Sequence, residues 1–199
     1  MTMPDDRLPT ESSFLNDVAN HEMTVLRDDG LYRHIRFRKP NMINMGFDLT
    51  TWPGYLCYSG DMGCYVFSRI PDMLKFFRSD RPSAGLEINP GYWGEKVQAV
   101  DRCSPLKEYS PEKFRAAILR WLDDADASQA VREAVEHEVL SRADDGPHEA
   151  MRAALDFEHD GFEFQDFWEV SVKEVSYRFL WCCYAVAWGV KQYDKRGEK

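Results

Sequence analysis

The spacing of hydrophobic residues divides the chain into a strand-rich first half and a helical second half. Between residues 22 and 69 lie several short apolar segments, and in those at 35–38 and 45–50 apolar residues alternate with polar ones, as they do in half-exposed strands. After Ser110 they recur at intervals of three and four residues, as they do on one face of a helix. We therefore predict an α+β protein, with an N-terminal antiparallel β-meander of four to five strands packed against a C-terminal helical bundle.

Short turn sequences separate the strands of this meander, among them Asp29-Gly30 and Pro53-Gly54. The predicted strands cover residues 23–26, 31–38, 45–50, 55–59 and 64–68. A short helix is predicted at residues 71–78. A second is predicted at residues 92–100, where Trp93, Val97 and Val100 have helical spacing.

The helical half begins with a Ser-Pro pair, because Ser110 is a favourable N-cap and Pro111 a favourable first helical residue. Two further short helices follow, and the last helix is predicted from about residue 166 to 193. It is hydrophobic on most faces, which places it in the centre of the fold. We expect a flexible tail at residues 1–9, a β-meander region with flanking short helices at 10–104, and a helical region at 105–199 that packs on the sheet in one compact unit.

Composition supports a self-sufficient globular protein. The chain has 199 residues, of which 44% are hydrophobic and 14% aromatic, so it is too apolar for a disordered chain. Five cysteines, without a C-x-x-C pair, are expected to be reduced thiols. The longest uncharged apolar run has twelve residues, whereas a membrane span needs about 20. The first nine residues lack the apolar segment of a signal peptide, and we expect a cytoplasmic protein without membrane contacts.

The net charge of −9 argues against general nucleic-acid binding, which requires a basic surface. Residues 105–160 hold 14 acids and 7 bases, while the rest of the chain is nearly neutral. This region is either a solvated helical surface that keeps the protein soluble or an acidic surface that mimics nucleic acid. In the second case its partner is a basic surface of a host protein or protein–nucleic acid complex. The residues expected to bind that partner are Asp123, Asp124, Asp126, Glu133, Glu136 and Glu138.

A basic strip, formed by His34, Arg36, Arg38 and Lys39, is the alternative candidate site. It lies on the polar face of the predicted second strand, where it is either a solvated, salt-bridged sheet surface or a site for a phosphate or an acidic partner surface. The residues of that ligand site are His34, Arg36, Arg38, Trp52 and Tyr58. Trp52 and Trp93 adjoin Pro- and Gly-containing loops, and they are either exposed interface anchors or core residues. No H-x-x-x-H or H-E-x-x-H motif is present, so we expect no metal or cofactor, and no catalytic residue is assigned.

Four stretches resemble a family of small proteins from tailed phages and bacterial prophages. They are residues 36–40 (RFRKP), 47–69 (FDLTTWPGYLCYSGDMGCYVFSR), 88–96 (INPGYWGEK) and 181–193 (WCCYAVAWGVKQY). The resemblance implies expression inside an infected bacterium and assigns no catalytic residue. Small accessory phage proteins often block host immunity, which makes this chain a candidate inhibitor of a bacterial defence system such as CRISPR, acting by protein–protein binding. The alternative is a small-ligand protein that sequesters or cleaves a nucleotide messenger. The sequence does not distinguish a monomer from a homodimer.

Overall fold

The computed structural model describes residues 8–42, 44–78 and 85–197, and over these residues the protein is α+β. Most of the predicted tail, residues 1–7, lies outside the described residues. The main strands are β1 (Glu22–Asp29), β2 (Tyr32–Arg38), β3 (Phe47–Trp52), β4 (Tyr55–Gly60), β5 (Gly63–Ser68) and β6 (Val97–Val100). The short strands are β7 (Lys107–Tyr109), β8 (Glu158–His159), β9 (Phe162–Glu163) and β10 (Lys173–Val175). The helices are α1 (Glu11–Asp17), α2 (Met73–Phe77), α3 (Pro90–Gly94), α4 (Pro111–Asp124), α5 (Gln129–Glu138), α6 (Pro147–Leu155) and α7 (Tyr177–Arg196), with 3₁₀ segments at Leu140–Asp145 and Phe167–Glu169.

The six main strands form one antiparallel sheet whose spatial order equals the chain order. The predicted meander is confirmed, with one more strand than expected. That strand, β6, lies where the spacing of residues 92–100 predicted a helix. Helix α3 ends at Gly94, and Val97 to Val100 then pair with β5. The reason is that the unpaired edge of β5 offers backbone hydrogen bonds, which outweigh a weak helical preference.

Helix α7 covers the apolar face of the sheet. Nine of its residues are buried, and Gly189 lies so close to the sheet that an added Cβ would approach Leu49 Cδ1 to 2.7 Å. The start predicted near residue 166 is wrong by eleven residues. Asp166 takes a left-handed conformation (φ 54°), a 3₁₀ segment and β10 follow, and the side chain of Ser176 then caps α7 by accepting a hydrogen bond from the Phe179 amide. No helix of the described ranges is both long and apolar enough to cross a membrane.

The chain forms two compact units. The sheet unit comprises residues 1–106 and 175–199, and the helical unit comprises residues 107–174. Helix α7 therefore groups with the sheet, and the helical region of 105–199 does not form a single body. The helical unit has its own core, in which Phe114, Ile118, Val135 and Phe167 are buried. Its two ends are joined by the pairing of β7 with β10.

Candidate functional site

The acidic excess coincides with the helical unit. Residues 107–174 hold 18 acids and 8 bases, a net charge of −10, whereas the remainder of the chain holds 16 acids and 17 bases, a net charge of +1. All six residues of the predicted acidic surface belong to this unit, and all six are exposed. Residues of two helices and of the connection between them thus contribute to one unit that is strongly negative.

Helix α5 brings three of these carboxylates together. Glu133, Glu136 and Glu138 line a shallow depression of about 700 Å³, together with His137, Ser141 and Arg142. The carboxylate of Glu133 accepts a hydrogen bond from Gln129 Nε2 at 2.9 Å, which orients it along the helix. Neither Glu136 nor Glu138 forms an ion pair within the described part of the chain, so both carboxylates are open to a partner.

The other three carboxylates lie at the corner between α4 and α5. Asp123 accepts a hydrogen bond from Arg132 Nη1 at 2.9 Å. The remaining guanidinium nitrogens of Arg132 donate to the carbonyls of Leu122 (3.0 Å) and Ala127 (3.1 Å). Asp123 therefore has a structural role at the corner, whereas the two other exposed acids, Asp124 and Asp126, have no described ion pair.

Four of the six acids occupy the last turn of a helix. Asp123 and Asp124 end α4, and Glu136 and Glu138 end α5. The helix dipole disfavours negative charge at this end by about 0.3–1 kcal/mol per residue at low ionic strength. The last turn of α4 contains no basic residue that would compensate. Apart from Asp123, which Arg132 binds, these carboxylates stand where the helix dipole disfavours them.

The basic strip is organised around a carboxylate that the sequence analysis missed. Asp48 on β3 lies directly opposite Arg36 on β2. The Arg36 guanidinium donates to Asp48 through Nε (3.1 Å) and Nη2 (2.9 Å), and His34 Nε2 lies 2.7 Å from the same carboxylate. Arg38 approaches it at 4.0 Å. The alternating pattern placed Asp48 on the polar face of β3, but only the strand register places it among the basic side chains.

Asp48 remains ionised although it is largely buried. Burial opposes ionisation, but the hydrogen bonds and charges of Arg36 and His34 outweigh it and lower the pKa of Asp48 below its usual value. The same contacts raise the pKa of Arg36. The strip therefore carries less net positive charge than its sequence suggests.

A pocket of about 330 Å³ adjoins the strip. It is lined by Arg36, Arg38 and Lys39 along with Glu22, Thr24 and residues 40–42. The structure does not bring the whole alternative site together. Tyr58 is fully buried on the opposite, core-facing side of the sheet, so its proposed ligand contact is wrong. The alternation of strand residues explains the error, since Tyr58 pairs with Leu49 on the apolar face. Trp52 stacks on Tyr55, with ring centroids 5.2 Å apart, and does not line the pocket.

The most exposed tryptophan is neither Trp52 nor Trp93. Trp93, one of two candidates for an exposed anchor, is only 7% exposed and packs against Phe77 with ring centroids 4.9 Å apart. Trp52 is half-buried. Trp168 in the helical unit is 62% exposed. Its position next to several acids was a sequence signal for exposure, but burial of the flanking Phe164 and Phe167 depends on the tertiary fold.

Other reactive groups are dispersed. Within the described ranges, no three His, Cys, Asp or Glu side chains are arranged to hold a metal ion. Cys57 and Cys64 lie on adjacent strands with their sulfurs 3.7 Å apart. Burial, with Cys64 beside it, raises the pKa of Cys57 to about 12, so its thiol is a poor nucleophile near neutral pH.

No protein-family model, curated protein or solved structure matches the chain, so the functional interpretation depends on charge, exposure and geometry.

Proposed function

We propose that the protein is a binding protein whose helical unit docks on a basic surface of another protein. The observation that carries this proposal is the confinement of a net charge of −10 to residues 107–174, while the rest of the chain is nearly neutral. A concentrated negative field attracts and orients a basic partner, and salt weakens that attraction. The basic surface is one that ordinarily binds nucleic acid, so the docked helical unit excludes it.

The resemblance to phage and prophage proteins suggests the setting. We propose that the partner is a bacterial defence complex such as a CRISPR effector, in the cytoplasm of an infected cell. Such complexes hold nucleic acid in positively charged channels. An inhibitor of this kind needs affinity and shape, and it needs no chemistry of its own.

The depression on α5 is the proposed centre of contact. Glu133, Glu136 and Glu138 present three carboxylates around it, and carboxylates form strong hydrogen bonds with arginine and lysine side chains. Asp124 and Asp126 extend the negative surface towards the end of α4. Asp123 contributes less, because Arg132 already binds its carboxylate.

A local charge reversal tests this proposal. The variant E133K/E136K/E138K changes the depression on α5, and the control variant E22K/D29K/E95K makes the same change in net charge on exposed residues of the sheet unit. We expect the first variant to lose at least tenfold in affinity for the defence complex, and to lose inhibition of it, while the control keeps both. Wild-type affinity should fall with rising salt. Unchanged affinity and inhibition in the α5 variant would refute the proposal.

The pocket beside the basic strip supports a second candidate, a protein that sequesters or cleaves a nucleotide messenger. Arg36, Arg38 and Lys39 line this pocket, and such side chains recognise phosphate. Native mass spectrometry of the protein purified from infected cells would then show a bound nucleotide, and R38A/K39A would release it. Failure to bind any member of a panel of cyclic nucleotides would exclude this function.

A further inference from the structure

Trp168 is the most exposed large hydrophobic side chain of the described residues. It stands in the 3₁₀ segment Phe167–Glu169 of the helical unit with 62% of its surface accessible. The other two exposed large apolar residues of this unit are leucines, Leu119 (46%) and Leu155 (42%). An indole in water forgoes a large burial energy, and tryptophan is enriched among the residues that dominate protein interfaces.

The turn that displays Trp168 is anchored in the core by the residue before it. Phe167 is fully buried, and its ring contacts Trp121 at 5.7 Å and Phe164 at 5.6 Å between centroids. Asp166 adopts a left-handed conformation, with φ of 54°, that turns the chain between the two phenylalanines. Trp168 directly follows the buried ring of Phe167, and its own side chain faces outward. A backbone that is already fixed before binding loses less conformational freedom than a mobile one.

Carboxylates flank this indole in the sequence. Glu163, Asp166 and Glu169 are all exposed, and between residues 163 and 169 there is no basic side chain. An apolar partner group would have to be buried next to these charges without compensation. A guanidinium group fits both features, since it stacks on an indole face and donates hydrogen bonds to carboxylates.

We infer that Trp168 is an anchor of the helical unit that receives arginine side chains of a basic partner protein. This inference rests on the proposed function, in which the helical unit docks on a basic surface. It adds the chemical selectivity of that docking, because charge alone does not distinguish arginine from lysine, whereas stacking on Trp168 does.

The test uses two peptides of equal charge, nona-arginine and nona-lysine, titrated into the full-length protein. We expect the wild type to bind nona-arginine more tightly than nona-lysine. Trp168→Ala should weaken nona-arginine binding by about two- to fivefold and remove most of the preference for arginine. The matched control Leu119→Ala deletes an exposed apolar side chain from the same unit and should change neither affinity. Circular dichroism melting verifies that each variant is folded.

Tryptophan fluorescence supplies a second measurement. Nona-arginine should protect part of the wild-type emission from acrylamide, and Trp168→Phe should lack that protected part. Unchanged nona-arginine affinity in Trp168→Ala, or an equal loss in Leu119→Ala, would overturn the inference. A dimer in sedimentation experiments that dissociates in Trp168→Ala would also overturn it, because the occupant would then be a second copy of the chain.

The charge variant separates this inference from the proposed function. E133K/E136K/E138K should weaken both peptides to a similar degree and leave the arginine preference in place. If that variant binds both peptides as the wild type does, the role of α5 in the proposed function fails, while a loss in Trp168→Ala still supports the anchor. If only the charge variant weakens binding, the anchor fails and the acidic surface stands.

Discussion

Arg36 and Asp48, on neighbouring strands, form a two-pronged ion pair on the polar face of the sheet. Arg36 donates through Nε at 3.1 Å and through Nη2 at 2.9 Å. Asp48 is 9% exposed, and His34 Nε2 contacts the same carboxylate at 2.7 Å. One carboxylate thus binds two basic side chains that lie side by side on β2, and its removal would leave both without this partner.

Replacing Asp48 should destabilise the protein. We expect Asp48→Ala to lower the free energy of unfolding by about 1.5–3 kcal/mol, the range for hydrogen bonds to charged groups. Asp48→Asn keeps one acceptor and should cost less. Urea unfolding at neutral pH measures both. The control is Asp29→Ala, which breaks the exposed pair with Arg27 and should cost at most about 1 kcal/mol. An equal effect of the Asp48 and Asp29 variants would contradict the special role of Asp48.

The contribution of Asp48 should depend on pH. Its pKa is lowered in the folded state, so the folded protein binds this proton more weakly than the unfolded chain. The stabilisation is therefore fully present above the ordinary value of 3.8 and is lost as the pH falls through the lowered pKa. Urea unfolding of the wild type and Asp48→Asn at several pH values from 7 to 2.5 should give curves that converge at low pH. A constant difference would show that ionisation of Asp48 is unimportant.

Removing acids from helix ends should stabilise the protein while weakening its proposed binding. Asp124→Asn and Glu136→Gln remove negative charge from the last turns of α4 and α5, and each should raise the free energy of unfolding by about 0.3–1 kcal/mol at low salt. Glu112→Gln makes the same charge change in the first turn of α4, where the helix dipole favours negative charge, and should lower the free energy of unfolding. Thermal melting at low and high salt measures the effect, and destabilisation by the first two variants would refute the dipole argument.

The cysteines should differ in their reactivity. Cys103 is exposed, whereas Cys182 and Cys183 are buried and Cys57 is half-buried with a raised pKa. Because the thiolate is the reacting form, iodoacetamide at pH 8 should modify Cys103 first in the folded protein. Peptide mass mapping over time measures the order of modification. Cys103→Ser should lose the fast reaction, and modification of Cys57 at a similar rate would contradict the burial of its thiol.

Local sequence patterns were sufficient to predict most strands of the sheet and which residues lie on its polar face. The alternation of Ile35 and Phe37 with Arg36 and Arg38 correctly placed the first two in the core. The same rule, applied to β4, would have placed Tyr58 in the core with Leu56, because both lie at alternate positions. Residues of one ligand site must lie on the same face of the sheet. Tyr58 lies on the apolar face and Arg36 on the polar face, so they cannot belong to one site.

Local patterns failed where distant backbone or side chains decided the outcome. Residues 97–100 have helical spacing, but the free edge of β5 recruits them as a strand. The stretch after residue 166 looks continuous with α7, yet Phe167 is held by the core of the helical unit, and the helix can begin only after Ser176. In both cases tertiary hydrogen bonds or burial exceeded the small differences in intrinsic propensity.

Taken by itself, the sequence determined the fold class, the antiparallel meander and the region that carries the acidic excess, because hydrophobic period and charge are local properties of the chain. Tertiary structure decided that Asp48 neutralises the basic strip, that the acidic region is a separate unit, and that Trp168 rather than Trp93 faces water. These outcomes depend on strand register and on which side chains share a core. Such contacts join residues far apart in the chain, and no local period records them.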